Sequence, residues 1–413
     1  MRFNLETIFF ILLFILISDL NGSLSIVFKT KGILSELILF FTIILFLKSI
    51  YITLPLTKQS INFISFFLFF LTYGVLIYYL LGNGWGQPFD RVRSLTPSLI
   101  LVFVLSKWFL LFIKRGQFDK VLKTISISLF FNSLVIIYSF ITGDVLIEEN
   151  TDRSSGLIAS VNQAGATAVL TQVFMVYYVL SYKLKFLHRF LLLVFYFISI
   201  FAALVTFSKA AMLGSLIVFI LFIRNIFSRN IYHLKILRQI KIPLILLLFL
   251  SSVFVSNYFI SKIDAEQSRR LNLFGEFLSG RIDEETTTHR SEIALMVLDK
   301  VKDENYMGTG LDSYHRIEGF GLGTHNQYLI FLGEIGIFGL IIFLLYLRKL
   351  GLNLYKIKEL DIRFLGLGIF CVLVITSTVA HTILFTKTYV VMFSLLGVLS
   401  FYQHILINEK SND

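Results

Sequence analysis

One cysteine and four prolines stand among 413 residues. A lone thiol, Cys371, closes no disulfide and builds no cysteine metal site within the chain. So few prolines leave the apolar runs almost unbroken, which argues against the interrupted spans of many transporters. Acidic residues are also scarce, 26 against 37 Lys and Arg, for a formal net charge of +11. No basic, aromatic-rich soluble segment exists to hold a strand, so the excess does not point to nucleic acid. It reports membrane topology and contact with anionic lipid instead. Internal repeats, Pro-rich linkers, low-complexity tails and a soluble domain are missing too.

Apolar surface is what the chain has in quantity. Hydrophobic residues make up 56%, phenylalanine alone occurs 45 times, and the mean hydropathy is +0.80. Apolar runs of roughly 15 to 23 residues recur, long enough to cross a hydrocarbon core as helices. Helices are required because an open strand or loop leaves its backbone unsatisfied in lipid. The expected fold is therefore all-α, a polytopic transmembrane helical bundle forming a single membrane domain over residues 1–413. Spans are expected from near Leu5, Ile33, Ile61, Pro97, Val121, Leu157, Leu187, Ala210, Ile242, Tyr328, Phe364 and Tyr389, about twelve in all. The opening stretch lacks a strong basic n-region and a small-x-small cleavage site, so it reads as a retained span. Asp19, Asn21 and Gly22 interrupt it, and the arrangement of the first two spans stays open.

Orientation follows from the cationic loops. Lys114, Arg115, Lys120 and Lys123 share one side with Lys183, Lys185 and Arg189. Arg224, Arg229, Lys235, Arg238 and Lys241, and then Arg348, Lys349, Lys356, Lys358 and Arg363, fall there as well. That side is read as the cytoplasm, with both termini on it. The acidic connector from Gly143 to Arg153 and the long segment 261–324 fall outside. A connection of that length is more often functional than a mere linker. Within it, RSEIALMVLDKVKDEN from Arg290 spaces Ile293, Met296, Val297, Leu298 and Val301 as one face of an amphipathic helix, suited to capping the bundle or lying on the membrane.

Three cations open helices on the outer side: Lys209 in TFSKAAML, Arg290, and His325 in GLGTHNQYLIFLGEIGIFGL. The helix dipole disfavours a cation at an N-terminus and favours an anion. The pattern makes sense where an anion settles between cation and helix, and a lipid-borne phosphate or diphosphate fits the outer boundary. The alternatives are that Lys209 snorkels to the surface, that Arg290 is simply solvated, and that His325 bonds a neighbouring loop. Glu334 is either a structural partner of a cation such as Lys107 or Lys209, or part of the site. His381 reads as a structural hydrogen-bonding residue. Asp283, Glu284 and Glu285 beside Arg281 read as a solvated loop rather than a metal-binding carboxylate pair. Gly308-Thr-Gly310 follows no strand and is no nucleotide fingerprint.

His325-Asn326, followed after nine residues by Gly336-x-x-Gly339 with Glu334 just before, resembles the O-antigen polymerase and ligase superfamily. So does Arg290 leading to Gly308-Thr-Gly310, and so does RSSGLIASVNQAG with Arg153, Gly156 and Asn162. Lys209 to Leu213 matches a fourth element, with Lys where the family has Arg. Lys is a point charge without the planar fork of Arg, so this departure bears on Lys209 more than on the family. The resemblance covers about the last two thirds of the chain.

It implies a metal-independent, cofactor-free, inverting glycosyltransferase of the bacterial plasma membrane. The donor is a polyprenyl-diphosphate-linked oligosaccharide and the acceptor a glycan or a lipid. A flippase and a chain-length regulator would be its working neighbours, and the product a surface polysaccharide of O-antigen, capsule or lipopolysaccharide type. His325 is the expected general base, since an imidazole ordinarily titrates near pH 6.5. Arg290 and Lys209 are the expected diphosphate ligands, with Asn326, Glu334 and Arg153 in support. Gly336 and Gly339 read as close helix contacts. Polymerase is the favoured reading, with a ligase or a lipid-linked sugar transporter as alternatives.

Overall fold

The structure is a computed structural model. It describes residues 4–19, 33–81, 87–143, 154–158, 160, 161–180, 184–227, 265–280, 290–304, 306–314, 324–380, 383, 384 and 386–402. These residues form helices and their connections. In chain order the helices are α1 (Leu5–Ser18), α2 (Ile33–Ile50), α3 (Lys58–Leu81), α4 (Pro88–Lys114), α5 (Phe118–Thr142), α6 (Val161–Val179) and α7 (Phe186–Val205). There follow α8 (Lys209–Phe227), α9 (Ala265–Leu278), α10 (Arg290–Asp303), α11 (Gln327–Tyr355), α12 (Leu360–Ser377) and α13 (Lys387–Leu399). Six of them, α3, α4, α5, α7, α11 and α12, are long and apolar enough to cross a membrane, and α1 and α13 are shorter apolar helices. The polytopic all-α bundle is thus the observed fold. The span expected near Ile242 lies outside the described residues.

Two boundaries differ from expectation. The helix expected from near Pro97 begins at Pro88, which occupies the first turn, where a missing N–H costs nothing. Asp90, Arg91 and Arg93 form its polar opening. The long connection before α11 also holds two helices, α9 and α10, where the periodicity had suggested one. In α10 the buried face is Ile293, Val297 and Val301, whereas Met296 and Leu298 are exposed.

α6 sits at the centre, packed by α5, α7, α8 and α12, with fifteen of its nineteen residues buried. Shielded from lipid on every side, it carries polar groups that would be costly elsewhere. Gln172 donates to Ser215 Oγ (2.8 Å), and Thr171 shares a hydrogen bond with Ser133 (3.0 Å). Around it, interlocked aromatics fix helix contacts without a hydrophobic driving force between spans. Phe331 meets Phe66 and Phe343 at ring separations of 5.3 and 4.7 Å, and Phe63 stacks on Phe393 at 4.8 Å.

Polar contacts pin the helix ends into two layers. At one end Arg115 pairs with Glu6 (2.6 Å), Thr57 donates to Gly397 O (2.8 Å), and Lys107 donates to the carbonyls of Ile52 and Leu54. At the other, Asn132 donates to Ile17 O (2.9 Å) and Thr388 to the same carbonyl (3.2 Å). His325 lies at this second end, where α11 starts and α12 finishes.

Candidate functional site

His325 adopts a left-handed backbone (φ +42°), a conformation His tolerates better than most residues. That turn sets up Asn326 as the N-cap of α11, its side chain accepting from the amides of Tyr328 (2.9 Å) and Leu329 (3.3 Å). Both His325 and Asn326 are half-buried. Two residues on, the Tyr328 hydroxyl donates to Val374 O (3.3 Å), tying the start of α11 to the last turns of α12.

The same end of α12 receives a second anchor. Asn162, in the first turn of α6, donates to Val379 O (3.4 Å) and accepts from Ser208 Oγ (2.9 Å). Ser208 immediately precedes Lys209, the half-buried first residue of α8. Close approach of α6 and α8 here depends on small residues, since a Cβ on Gly165 would stand 2.6 Å from Ala211 Cβ. Three helix N-termini, those of α6, α8 and α11, therefore gather about the C-terminal end of α12. The positive dipole ends of all three, and the amides of α6 that no side chain caps, favour an anion.

α10 meets this assembly from the side. Val297, Val301, Tyr314 and Leu332 form a buried apolar cluster, with Leu329 packed against it. Its far end is threaded into α11. Gly336 breaks the helix (φ 68°, ψ −173°), freeing backbone groups that the Tyr306–Leu311 loop takes up. Thr309 N donates to Gly333 O and Gly310 N to Glu334 O, both at 2.9 Å, while Ile337 N donates to Tyr306 O at 3.0 Å. Leu311 N donates to Gly74 O on α3 (2.8 Å). Irregular backbone at this depth survives because protein buries it and every one of these groups is paired. Gly336 is thus not a helix-on-helix contact, as its spacing suggested, but the receptor of a loop. A Cβ there would lie 2.5 Å from Tyr306 O. Gly308 and Gly310 are the counterpart, a Cβ on Gly310 falling 2.2 Å from Tyr78 Cα.

Glu334 is fully buried two residues before the break. The charged groups facing it are Arg91 of α4 and Asp312, and the Asp312 backbone also approaches its carboxylate. Arg91, itself 8% exposed, pairs with Asp312 at 3.8 Å. The cation beside Glu334 is thus Arg91, and Lys107, one of the partners expected for it, is engaged elsewhere. Nine residues of helix, about 13 Å, separate Glu334 from His325, so the carboxylate is no direct partner of the imidazole. Sequence reasoning passed over Arg91 and Asp312. The only available signal was a charged turn, Asp90-Arg91-Val92-Arg93, two residues after Pro88.

Of the other expected residues, Arg290 opens α10, whereas Arg153, His381, Arg281, Asp283, Glu284 and Glu285 lie outside the described residues. Residues 194–344, from within α7 to the middle of α11, match the family model described as O-Antigen ligase. That stretch includes Lys209, Arg290, His325, Asn326 and Glu334, and it supports the O-antigen polymerase and ligase superfamily for this multi-pass membrane protein. No curated protein matches the chain.

Proposed function

We propose, from the premise that this chain stands with the O-antigen polymerases and ligases, that it polymerises surface-polysaccharide repeat units from a polyprenyl-diphosphate-linked donor. The observation that carries the reading is the gathering of three helix starts, bearing Lys209 and His325 on two of them, around the end of α12. The diphosphate rests among those amides with Lys209 beside it. Arg290 joins from α10. Its helix packs along the first half of α11 and meets the break at its other end, so Arg290 stands about 20 Å of helix away from Gly336. His325 lies about 16 Å of chain from the same break, which supports both residues serving one level of the bundle.

In the reaction an acceptor hydroxyl attacks the anomeric carbon opposite the diphosphate. Its proton passes to the His325 imidazole as the new C–O bond forms and the old one breaks. Polyprenyl diphosphate leaves with the electron pair, its growing charge met by Arg290, Lys209 and the helix amides. Asn326 holds the turn that aims His325, and Glu334 with Arg91 secures the helix beneath. Arg153 is assigned to the same outer side. In this reading the Lys- and Arg-rich end is cytoplasmic, both termini included.

The test is His325→Ala in a polysaccharide-producing cell. Polymer should disappear and single lipid-linked repeat units accumulate outside, whereas an undiminished ladder of chain lengths removes His325 as the base. The family description also covers a second reading, a ligase that moves a finished glycan to another acceptor. Purified protein in liposomes given the lipid-linked donor alone separates the two: a polymerase lengthens it, and a ligase waits for its acceptor.

A further inference from the structure

At the end of the bundle away from His325, the last turn of α8, the last turn of α11 and the first turn of α12 leave a cavity of about 150 Å³, well above the ~10–15 Å³ that one water needs. Its lining is Leu221, Arg224, Asn225, Tyr355, Arg363, Phe364 and Leu367. Two of these are arginines and none is a carboxylate. Arg363 is steadied by the Tyr355 ring, 6.0 Å from its guanidinium, and among the described residues no carboxylate forms an ion pair with it. Asn225, buried, donates to Leu360 O (3.5 Å), which ties the end of α8 to the start of α12 and fixes the spacing of the two arginines.

A second cavity at the same end shows the contrast. It is lined by Lys48 and Arg115, but Glu6 also lines it and holds Arg115 at 2.6 Å, so one of its two cations is already paired.

The surroundings point to a ligand with an apolar tail. Leu216 and Ile220, both exposed, precede Arg224 on α8 at successive four-residue steps, making one stripe that ends in the guanidinium. On α11 the exposed Leu352 leads to Tyr355 in the same way. A free phosphate has no use for such stripes, whereas a phospholipid lays acyl chains along them and presents its phosphodiester to the arginines. Planar guanidinium forks suit phosphate oxygens, and basic pockets between spans take anionic head groups.

We infer that this cavity binds the phosphate head group of an anionic phospholipid, holding α8, α11 and α12 together at the end opposite the proposed transfer site. The inference does not depend on that transfer site.

The experiment uses the purified full chain exchanged into nanodiscs of phosphatidylcholine with phosphatidylglycerol, followed by native mass spectrometry. Wild type should retain phosphatidylglycerol selectively. Arg224→Gln with Arg363→Gln should lower retention by about tenfold or more. Arg348→Gln with Lys349→Gln, which removes the same charge from exposed positions on α11, should leave it unchanged. Equal loss in both pairs reduces the effect to net charge and overturns the proposal, as does equal retention in all three proteins. Displacement of the lipid by millimolar inorganic phosphate would make the site one for free phosphate and overturn the lipid assignment. A second measurement needs no variant: phosphatidylglycerol with a photoreactive head group should label wild-type protein within 221–225 or 355–367. Labelling confined to other segments also overturns the proposal.

Discussion

Gly336 has two reasons to be glycine. Its φ of +68° combined with ψ of −173° falls where essentially only glycine goes, and the space a Cβ would fill already holds Tyr306 O and the Met307 carbonyl. Gly336→Ala is expected to cost about 3 kcal/mol or more, from strain and lost loop pairing together. A lowered thermal midpoint in detergent, with faster proteolysis of the 306–314 loop, is the measurement. A few residues away, Arg91 faces two carboxylates, Glu334 and Asp312. Removing the cation strands both, so Arg91→Met should destabilise by about 3–5 kcal/mol. Glu334→Gln keeps the volume and leaves Arg91 its pair with Asp312, so its cost should stay within about 1–2 kcal/mol. Equal losses in the two variants would show that Arg91 does not serve Glu334.

At the scale of the element, α10 is held to α11 by an apolar seam, and the segment that follows α10 is closed on itself by a hydrogen bond from the Tyr314 hydroxyl to Glu304 Oε2 (2.9 Å). Burial raises the Glu304 carboxyl above its ordinary value, against the opposing pull of that bond and of Lys300. The sign follows from linkage. A raised folded value means that the folded protein binds the proton more tightly, so the stabilisation is complete below the ordinary carboxylate range. It is lost as pH rises through the raised value. Because Glu304 is only partly buried, the effect is modest. Amide exchange in α10 should therefore speed up with pH over that range, beyond the intrinsic rate, and Glu304→Gln should flatten the dependence. Periodicity had announced α10 and its Ile293, Val297 and Val301 face correctly. It also offered Met296 and Leu298, which are exposed, because spacing cannot say how wide a stripe the neighbouring helix covers. The α11 break was unreadable for a related reason. Gly-x-x-Gly looks the same whether a helix or a loop lies against it, and the loop that docks at Gly336 comes from some thirty residues earlier in the chain.

For the whole molecule, hydropathy alone revealed the bundle, since continuous apolar runs of that length satisfy their backbone in lipid as helices. The site was legible only in pieces. His325, Lys209 and Arg290 could be named from helix starts, but the frame that unites two of them is α12, whose carbonyls at Val374 and Val379 receive Tyr328 and Asn162. No local pattern marks a carbonyl as a meeting point. If that frame is right, the starts of α8 and α11 are held near each other, far from the end marked by Arg363, which lies at the other extremity of α12. Its eighteen residues span about 27 Å. Cross-linking tests this directly. With Cys371 replaced by Ser, Lys209→Cys with His325→Cys should be bridged by a bifunctional thiol reagent of about 10–15 Å reach, whereas Lys209→Cys with Arg363→Cys should not. Failure of the first pair, with both thiols separately reactive, would dissolve the common site, and with it the case for His325 and Lys209 acting on one diphosphate.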